Sequence, residues 1–183
     1  MNQKNILRKR FNYLRKKKYF SIEKFFFTPL INILKLKFKN KNLNFAIYYP
    51  SNFEVNVLKI LETKYMLNKN LLLPVIEKKN LMNFFPWKNN EVLLVNKFGL
   101  LEPLKTKVKK PDVILVPVLA YDKDNYRLGY GKGFYDRYLS KLLKKNNKIL
   151  TVGVAFSFQK YHKLPRKMND VRLDFILTEK GIS

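Results

Sequence analysis

Apolar residues at the start of the chain recur at the spacing of an α-helix. The residues that share this face are Leu7, Phe11 and Leu14. They predict an amphipathic helix over residues 3–18. Lys4 and Arg8 would lie side by side along the edge of the apolar face, because they are four residues apart. A second helical segment is predicted over residues 22–38, with a kink or a new start at Pro29, since proline is disfavoured inside a helix.

Farther along the chain, short and nearly continuous apolar runs replace the helical spacing. These runs predict strands at residues 45–49, 71–76, 113–117, 150–155 and 175–178. Helical patterns occupy residues 54–68 and 134–143 between them, while the apolar residues 92–95 do not indicate one type of element. In the last predicted helix, the residues expected to point inward are Leu139, Leu142 and Leu143.

The order of these elements predicts the class of fold. Continuous apolar strands are typical of a sheet covered on both faces, and strands that alternate with helices indicate parallel pairing. We therefore expect an α/β fold with a mostly parallel, Rossmann-like sheet and helices on both faces, formed by one domain over residues 1–183. In such sheets ligands bind outside the carboxyl ends of the strands, which directs attention to the segment after residues 113–117.

Composition narrows the class of protein. The chain has 183 residues, 46% of them hydrophobic, which is enough for one domain with a hydrophobic core. It contains no cysteine, so disulfides and thiolate zinc sites are excluded and a reducing compartment such as the cytoplasm fits. The most apolar stretch, residues 25–34, is far shorter than the ~20 residues of a membrane span. We expect a cytoplasmic monomer with no membrane partner.

The net charge of +25 admits two explanations. A strongly basic chain attracts polyanions, so a nucleic-acid-binding protein is one hypothesis. The lysines are spread over most of the chain, however, and accompany many Asn, Ile, Phe and Tyr residues, all of which AT-rich codons encode. Compositional drift explains the charge without a specific nucleic-acid partner, and we favour that interpretation.

A glycine-rich loop after the strand at residues 113–117 carries the candidate chemistry. Its glycines, at positions 129, 131 and 133, precede a predicted helix, so backbone N–H groups and the positive helix end can approach an anion. Arg127 and Lys132 add two cations, and Asp136 could hold Mg²⁺ against a phosphate. The pattern is neither a Walker A loop nor GxGxxG. By itself it is equally compatible with a polyphosphate site and with a simple turn.

A longer string around this loop resembles a known family. The string comprises Pro-Asp-Val-Ile-Leu-Val-Pro-Val-Leu-Ala-Tyr-Asp at residues 111–122 and Arg-Leu-Gly-Tyr-Gly-Lys-Gly-Phe-Tyr-Asp-Arg-Tyr-Leu at residues 127–139. It resembles the signature of the 5-formyltetrahydrofolate cyclo-ligase family, also called methenyltetrahydrofolate synthetase. The resemblance covers nearly the whole chain. Its other matching segments are residues 4–9, 48–54, 73–75, 98–103, 152–156 and 159–179.

The resemblance implies a reaction and a fold group. ATP would phosphorylate the formyl oxygen of 5-formyltetrahydrofolate, the second folate nitrogen would attack the activated carbon, and phosphate would leave. The products would be 5,10-methenyltetrahydrofolate, ADP and phosphate, with Mg²⁺ required. The implied architecture is sugar-isomerase/CoA-transferase-like. Such an enzyme has mainly to position its substrates and neutralise charge.

Roles follow from the positions that match the family. The residues implied in ATP binding are Lys4, Arg8, Arg127, Leu128, Gly129, Tyr130, Gly131, Lys132, Gly133, Phe134 and Tyr135, with Arg127 and Lys132 also implied as catalytic. The residues implied in folate binding are Tyr49, Glu54, Phe134 and Tyr135, where Glu54 would accept hydrogen bonds from the pterin. The residues implied as magnesium ligands are Asp136 and Asp170.

Several positions depart from the family pattern. Asn125 stands where glycine is frequent, Phe134 stands where tyrosine is common, and residues 81–97 match poorly. Trp87, in that poorly matching stretch, is more typical of packing than of ligand stacking, and we expect His162, the single histidine, on a surface loop. These departures leave two alternatives open: a relative with lost or altered substrate, and a basic nucleic-acid-binding protein.

Overall fold

The structure is a computed structural model that describes residues 2–39, 41–143 and 149–183. Its α-helices are α1 (Gln3–Lys18), α2 (Thr28–Phe38) and α3 (Phe134–Leu143). The strands are β1 (Asn44–Ala46), β2 (Asn70–Ile76), β3 (Met82–Pro86), β4 (Leu93–Val95), β5 (Leu101–Pro103), β6 (Val113–Pro117), β7 (Ala120–Tyr121), β8 (Arg127–Leu128), β9 (Leu150–Val154), β10 (Phe175–Thr178) and β11 (Gly181–Ile182). Short 3₁₀ helices span Lys24–Phe27, Val57–Glu62, Lys64–Met66, Lys78–Asn80 and Ser157–Gln159.

Seven of these strands form one twisted sheet in the order β11-β10-β9-β6-β1-β2-β3. The five central strands pair in parallel, and each edge strand, β3 and β11, pairs antiparallel with its neighbour. Two small hairpins, β4–β5 and β7–β8, lie outside this sheet. The predicted α/β fold with a mostly parallel sheet is therefore confirmed.

Both faces of the sheet are covered. Along β1, Phe45 belongs to one buried cluster and Ala46 to another, and the same alternation continues along β6 with Val113 and Ile114. The first cluster includes Leu30 and Leu34 of α2, together with side chains from the 3₁₀ helices. The second includes Leu139 of α3. This burial explains why the strands are apolar at nearly every position rather than at alternate ones.

Helix predictions succeeded where the apolar face was long. Helices α1 and α3 have the predicted bounds, and Leu139 is buried while Leu142 is half-buried; the side chain of Leu143 lies outside the described residues. The second helical segment starts again at residue 28, with Pro29 in the first turn of α2. A proline is tolerated there because the N–H groups of the first turn have no partner within the helix. No helix in the described part of the chain is long and apolar enough to cross a membrane.

The predicted helix over residues 54–68 is wrong. Two short 3₁₀ helices, Val57–Glu62 and Lys64–Met66, replace it, and Thr63 between them has an extended backbone. The Thr63 hydroxyl donates to the carbonyl of Ile60 at 2.6 Å, which gives the backbone a local alternative to a continuing helix. Sequence periodicity also missed β3, an edge strand that pairs antiparallel with β2.

Candidate active site

Helix α1 packs against the glycine loop, which we define as residues 129–133. Its apolar residues Leu7 and Phe11 are buried with Leu128 in a separate cluster that anchors the helix there. The Arg8 Nε donates to the carbonyl of Gly129 at 2.9 Å. The structure thus brings Arg8 to the loop, although 121 residues separate Arg8 and Gly129 along the chain.

The glycine at position 131 is required by both backbone and packing. Its φ is +103°, a conformation that side chains rarely adopt. A Cβ placed on it would lie 3.2 Å from the Cζ of Arg8. Because the loop has no side chain at this position, the Arg8 guanidinium can lie directly against the loop backbone.

The glycine loop does not follow β6 directly, since the β7–β8 hairpin is inserted between them. The turn of this hairpin holds Asn125 with a φ of +61°, so asparagine adopts the left-handed conformation available to glycine. The Asp122 Oδ1 accepts hydrogen bonds from the backbone N–H groups of Asp124 and Tyr126 and so shapes the turn. The hairpin delivers Arg127 to the site, and the side chain of Leu128 is buried away from the cavity against α1.

The two carboxylates predicted to bind magnesium lie on adjoining segments of the site, and each is paired with a cation. Asp136 makes two contacts with the Arg127 guanidinium, at 3.1 and 3.3 Å. Asp170 forms an ion pair with Lys4 at 2.5 Å. The backbone N–H of Val171, next to Asp170, donates to Asp136 at 3.4 Å and so joins the two segments.

The donor set suits a hard cation that keeps other ligands. Both carboxylates are about one-fifth exposed, with 20% of each side chain accessible. The described residues contain no group of three or more His, Cys, Asp or Glu side chains that could hold a metal. Two carboxylates are too few for a site built from protein ligands alone, so Asp136 and Asp170 could hold Mg²⁺ only together with phosphate or water oxygens.

Glu54 is the carboxylate that contacts the glycine loop directly, through Tyr130. It lies in the loop after β1 and is buried, with 7% of its surface exposed. Its Oε1 accepts a hydrogen bond from the Tyr130 hydroxyl at 2.5 Å, and its Oε2 accepts from the Ser51 N–H at 2.9 Å. Burial raises the pKa of Glu54 above its usual range, while the hydrogen bonds from Tyr130 and Ser51 and the charge of Arg15 oppose this rise.

A cavity of about 360 Å³ is lined both by Glu54 and by residues of the glycine loop. It opens at the carboxyl ends of β1, β2 and β6, as expected for a parallel sheet. The predicted site residues that line it are Tyr49, Glu54, Arg127, Gly129, Tyr130, Lys132, Gly133, Phe134, Tyr135 and Asp136. Lys4, Arg8, Gly131 and Asp170 adjoin these residues through α1 and the ion pairs described above.

Two buried polar groups at this cavity lack a hydrogen-bond partner among the described residues. They are the Tyr135 hydroxyl and the Arg127 Nε, and both residues line the cavity. The Arg127 Cζ also lies 5.8 Å from the Tyr135 ring centroid. Because buried polar groups normally find partners, these two atoms indicate a polar ligand.

The sequence missed the contribution of the β4–β5 hairpin. Its turn brings Phe98 to the cavity, where the ring centroid lies 5.7 Å from that of Phe134. The Lys132 Nζ lies 5.8 Å from the same Phe98 ring. Asn96 and Gly99, which flank Phe98 between two apolar runs, are the turn signal that could have revealed this hairpin.

Two other side chains behave as their sequence context predicted. Trp87 is buried, and its Nε1 donates to the Glu91 carbonyl at 3.3 Å. It packs edge-on against Tyr49 at 6.4 Å. His162 is exposed beside Tyr161 on a loop.

Sequence reasoning also missed Arg15. Its guanidinium is 1% exposed, and its Cζ lies 5.4 Å from the Tyr130 ring centroid. Arg15 follows Phe11 by four residues, so it continues the buried stripe of α1 in a position where an apolar residue would be expected. That interruption of the stripe was the available signal.

Comparison with known proteins gives one consistent result. The profile of the 5-formyltetrahydrofolate cyclo-ligase family matches residues 3–179. The 5-formyltetrahydrofolate cyclo-ligase of Haemophilus influenzae is 33% identical over 141 residues, which cover 73% of this chain and 74% of that protein. The cyclo-ligase of Mycoplasma genitalium is 34% identical over 135 residues, which cover 73% and 71%.

Solved structures agree in fold. The 5,10-methenyltetrahydrofolate synthetase of Aquifex aeolicus matches with a TM-score of 0.76 and 34% identity over 99% of this chain and 92% of that one. The enzyme of the same name from Mycoplasma pneumoniae matches with a TM-score of 0.72 and 26% identity over 96% and 98%. The described fold is therefore similar to that of these synthetases over nearly its whole length.

Proposed function

Since the chain belongs to the 5-formyltetrahydrofolate cyclo-ligase family, we propose that it uses ATP to convert 5-formyltetrahydrofolate into 5,10-methenyltetrahydrofolate. The observation that supports this most directly is a single cavity lined by the buried Glu54 carboxylate, by the glycine loop and by the cations Arg127 and Lys132. A folate ring and a triphosphate need these groups.

The part of the cavity around Glu54 would hold the pterin. The amino and ring N–H groups of a pterin are donors, and an ionised carboxylate provides acceptors for them. Tyr49, Phe134 and Tyr135 line the same cavity and would pack on the aromatic parts of the folate. The free Tyr135 hydroxyl would then find an acceptor on the ligand.

The glycine loop would hold the triphosphate. Arg8 contacts the loop, Lys132 belongs to it, and Lys4 lies one turn before Arg8 in α1. These three cations would neutralise phosphate charge together with the backbone N–H groups of the loop. Arg127 is buried and lines the same cavity as Glu54 and the glycine loop, which supports a contact with the transferring phosphoryl group. We assign Arg127 and Lys132 to stabilising the charge on that group, because phosphoryl transfer depends mainly on positioning and electrostatics.

The proposed reaction has two steps. The formyl oxygen of the folate attacks the γ-phosphorus of ATP, the bond from that phosphorus to the bridging oxygen breaks, and ADP leaves. The second folate nitrogen then attacks the activated formyl carbon and loses its proton to water. The carbon–oxygen bond breaks, and phosphate carries away the oxygen. A phosphate is a far better leaving group than the original amide oxygen, so the protein needs no nucleophile of its own.

Asp136 and Asp170 would hold Mg²⁺, which supplies charge neutralisation on the phosphate oxygens. Both carboxylates would exchange their present cation partners for it. Arg127 and Lys4, released from these ion pairs, would then be available to the phosphates.

We further propose that residues 1–183 form one domain of the sugar-isomerase/CoA-transferase-like architecture and that the enzyme is a cytoplasmic monomer. The continuous seven-stranded sheet supports the single domain, and the lack of cysteine is compatible with a reducing compartment. The relatives offer no support for the nucleic-acid-binding alternative or for a changed substrate.

The direct test is an activity assay. The protein is incubated with 5-formyltetrahydrofolate, ATP and Mg²⁺, and the absorbance of methenyltetrahydrofolate is followed against reactions that lack ATP or enzyme. We expect product that depends on both. The absence of product at micromolar enzyme would refute the proposed function.

A further inference from the structure

Arg15 is an unusual residue for the interior of this protein. It is 1% exposed, and none of its three guanidinium nitrogens makes a hydrogen bond of good geometry within the described residues, although the guanidinium lies close enough to the Tyr130 hydroxyl to interact with it. Removing a guanidinium from water without such partners is costly, so the surroundings must offset that cost. The next residue of α1, Lys16, is exposed to solvent, so the burial of Arg15 is specific to its position on the helix.

The groups near Arg15 are Tyr130 and, through it, Glu54, the residue proposed to bind the pterin. The Arg15 Cζ lies 5.4 Å from the Tyr130 ring centroid, which is a cation–π distance. The hydroxyl of the same ring donates to Glu54 at 2.5 Å. A cation, a ring and a carboxylate therefore follow one another from the inner face of α1 to the cavity.

We propose that Arg15 is a positioning residue for folate binding: its buried guanidinium holds the Tyr130 ring in place, and Tyr130 in turn orients the Glu54 carboxylate that would receive the N–H groups of the pterin. This inference rests on the proposed function and assigns a further residue to the same site. Arg15 acts through Tyr130 and Glu54, since these two residues line the cavity and Arg15 does not.

The groups that act on the Glu54 carboxylate are one arginine, three tyrosines and one serine. Burial raises the pKa of Glu54, and the charge of Arg15 opposes that rise. Tyr130 and Ser51 donate hydrogen bonds to the carboxylate, while Tyr48 and Tyr135 lie close enough for the Glu54 charge to disfavour their ionisation. Arg15 is thus the cation among the groups acting on this carboxylate.

The test compares Arg15→Met with Lys16→Met. Methionine keeps an unbranched side chain of similar length but removes the charge, and the control removes an exposed charge from the next position of α1. Binding of 5-formyltetrahydrofolate without ATP is measured by calorimetry from mildly acidic to mildly alkaline pH, and kcat and KM for the complete reaction are measured alongside.

Arg15→Met should shift the acidic limb of folate binding to higher pH, because the charge of Arg15 then no longer favours the ionised form of Glu54. KM for folate should rise about tenfold at the acidic end and recover partly as the pH rises, with a smaller change in kcat. The shift should vanish when Glu54→Gln is added, since the titrating group is gone. Lys16→Met should leave the parent profile unchanged.

The outcomes separate the two proposals. A parent protein without turnover refutes the proposed function whatever Arg15 does. An active parent whose Arg15→Met profile coincides with that of Lys16→Met overturns the role of Arg15 alone. If Arg15→Met fails to fold, Arg15→Lys replaces it in the test. Lysine keeps the positive charge, and with it the acidic limb of the binding profile, but loses the planar contact with the Tyr130 ring. KM for folate should therefore rise in Arg15→Lys, and an unchanged KM would overturn the proposal.

Discussion

Replacement of Gly131 by alanine should damage ATP binding through Arg8. The new Cβ would lie 3.2 Å from the Arg8 Cζ and 3.4 Å from its Nε, the atom that donates to the Gly129 carbonyl. Moving the guanidinium away would break that bond, and a hydrogen bond from a charged donor contributes about 1.5–3 kcal/mol. If the loop needs this bond to present its N–H groups, KM for ATP should rise roughly 10- to 100-fold.

The substitution also has a cost that does not depend on Arg8. The φ of +103° at Gly131 is unfavourable for alanine, by about 1–2 kcal/mol. For a chain of this size, that loss should lower the thermal unfolding midpoint by roughly 3–6 °C. A change in stability alone therefore cannot distinguish strain of the loop from loss of the Arg8 contact.

Gly181→Ala is the matched control. Gly181 has a similar φ of +116°, but a Cβ there would meet nothing within 4 Å, and the residue lies in edge strand β11. Both variants should lose similar stability, whereas only Gly131→Ala should raise KM for ATP. Equal KM values in the two variants, or a Gly131→Ala effect that persists undiminished in an Arg8→Ala background, would refute the reasoning.

Three further substitutions test the remaining parts of the site. Asp136→Asn should lower kcat and raise the Mg²⁺ concentration for half-maximal rate about tenfold or more, measured by Mg²⁺ titration, because it removes one of two carboxylates and leaves the buried Arg127 without its counter-charge. An unchanged Mg²⁺ requirement would contradict the assignment. Lys132→Ala should raise KM for ATP about tenfold while the unfolding midpoint stays constant, because Lys132 is exposed; equal ATP kinetics would remove Lys132 from the site. Glu54→Gln should raise KM for folate at least about tenfold, because an amide offers the pterin one acceptor oxygen where the carboxylate offers two. Since burial raises the pKa of Glu54 in the folded state, the parent protein should lose stability as the pH rises from the usual carboxyl pKa to the raised one, and chemical denaturation should show that Glu54→Gln lacks this pH-dependent loss.

Prediction from sequence worked where a local pattern was sufficient. The stripe of Leu7 and Phe11 predicted α1 with its observed bounds, and the apolar run of β6 predicted a strand buried on both faces. It failed where a local hydrogen bond or a distant partner decided the conformation. Thr63 interrupts the helix predicted around it, and β3 pairs antiparallel at the edge of the sheet.

The candidate site shows the same division. The glycine spacing and the nearby Arg127 and Lys132 indicated an anion site, and the longer string indicated the family. Phe98 was missed because the hairpin that carries it lies outside the main sheet and reaches the cavity only in the folded chain. Arg15 was missed because an arginine on an apolar stripe is normally assigned to solvent.

By itself, then, the sequence determined the class of fold, the elements with strong periodicity and the segment that carries the chemistry. Tertiary structure alone decided which charges meet. Lys4 reaches Asp170 across 166 residues of sequence, and Tyr130 reaches Glu54 across 76. The physical reason is that hydrophobic periodicity records which face of an element is buried, whereas the partner of a buried charge depends on which loops the parallel sheet brings together at the carboxyl ends of its strands.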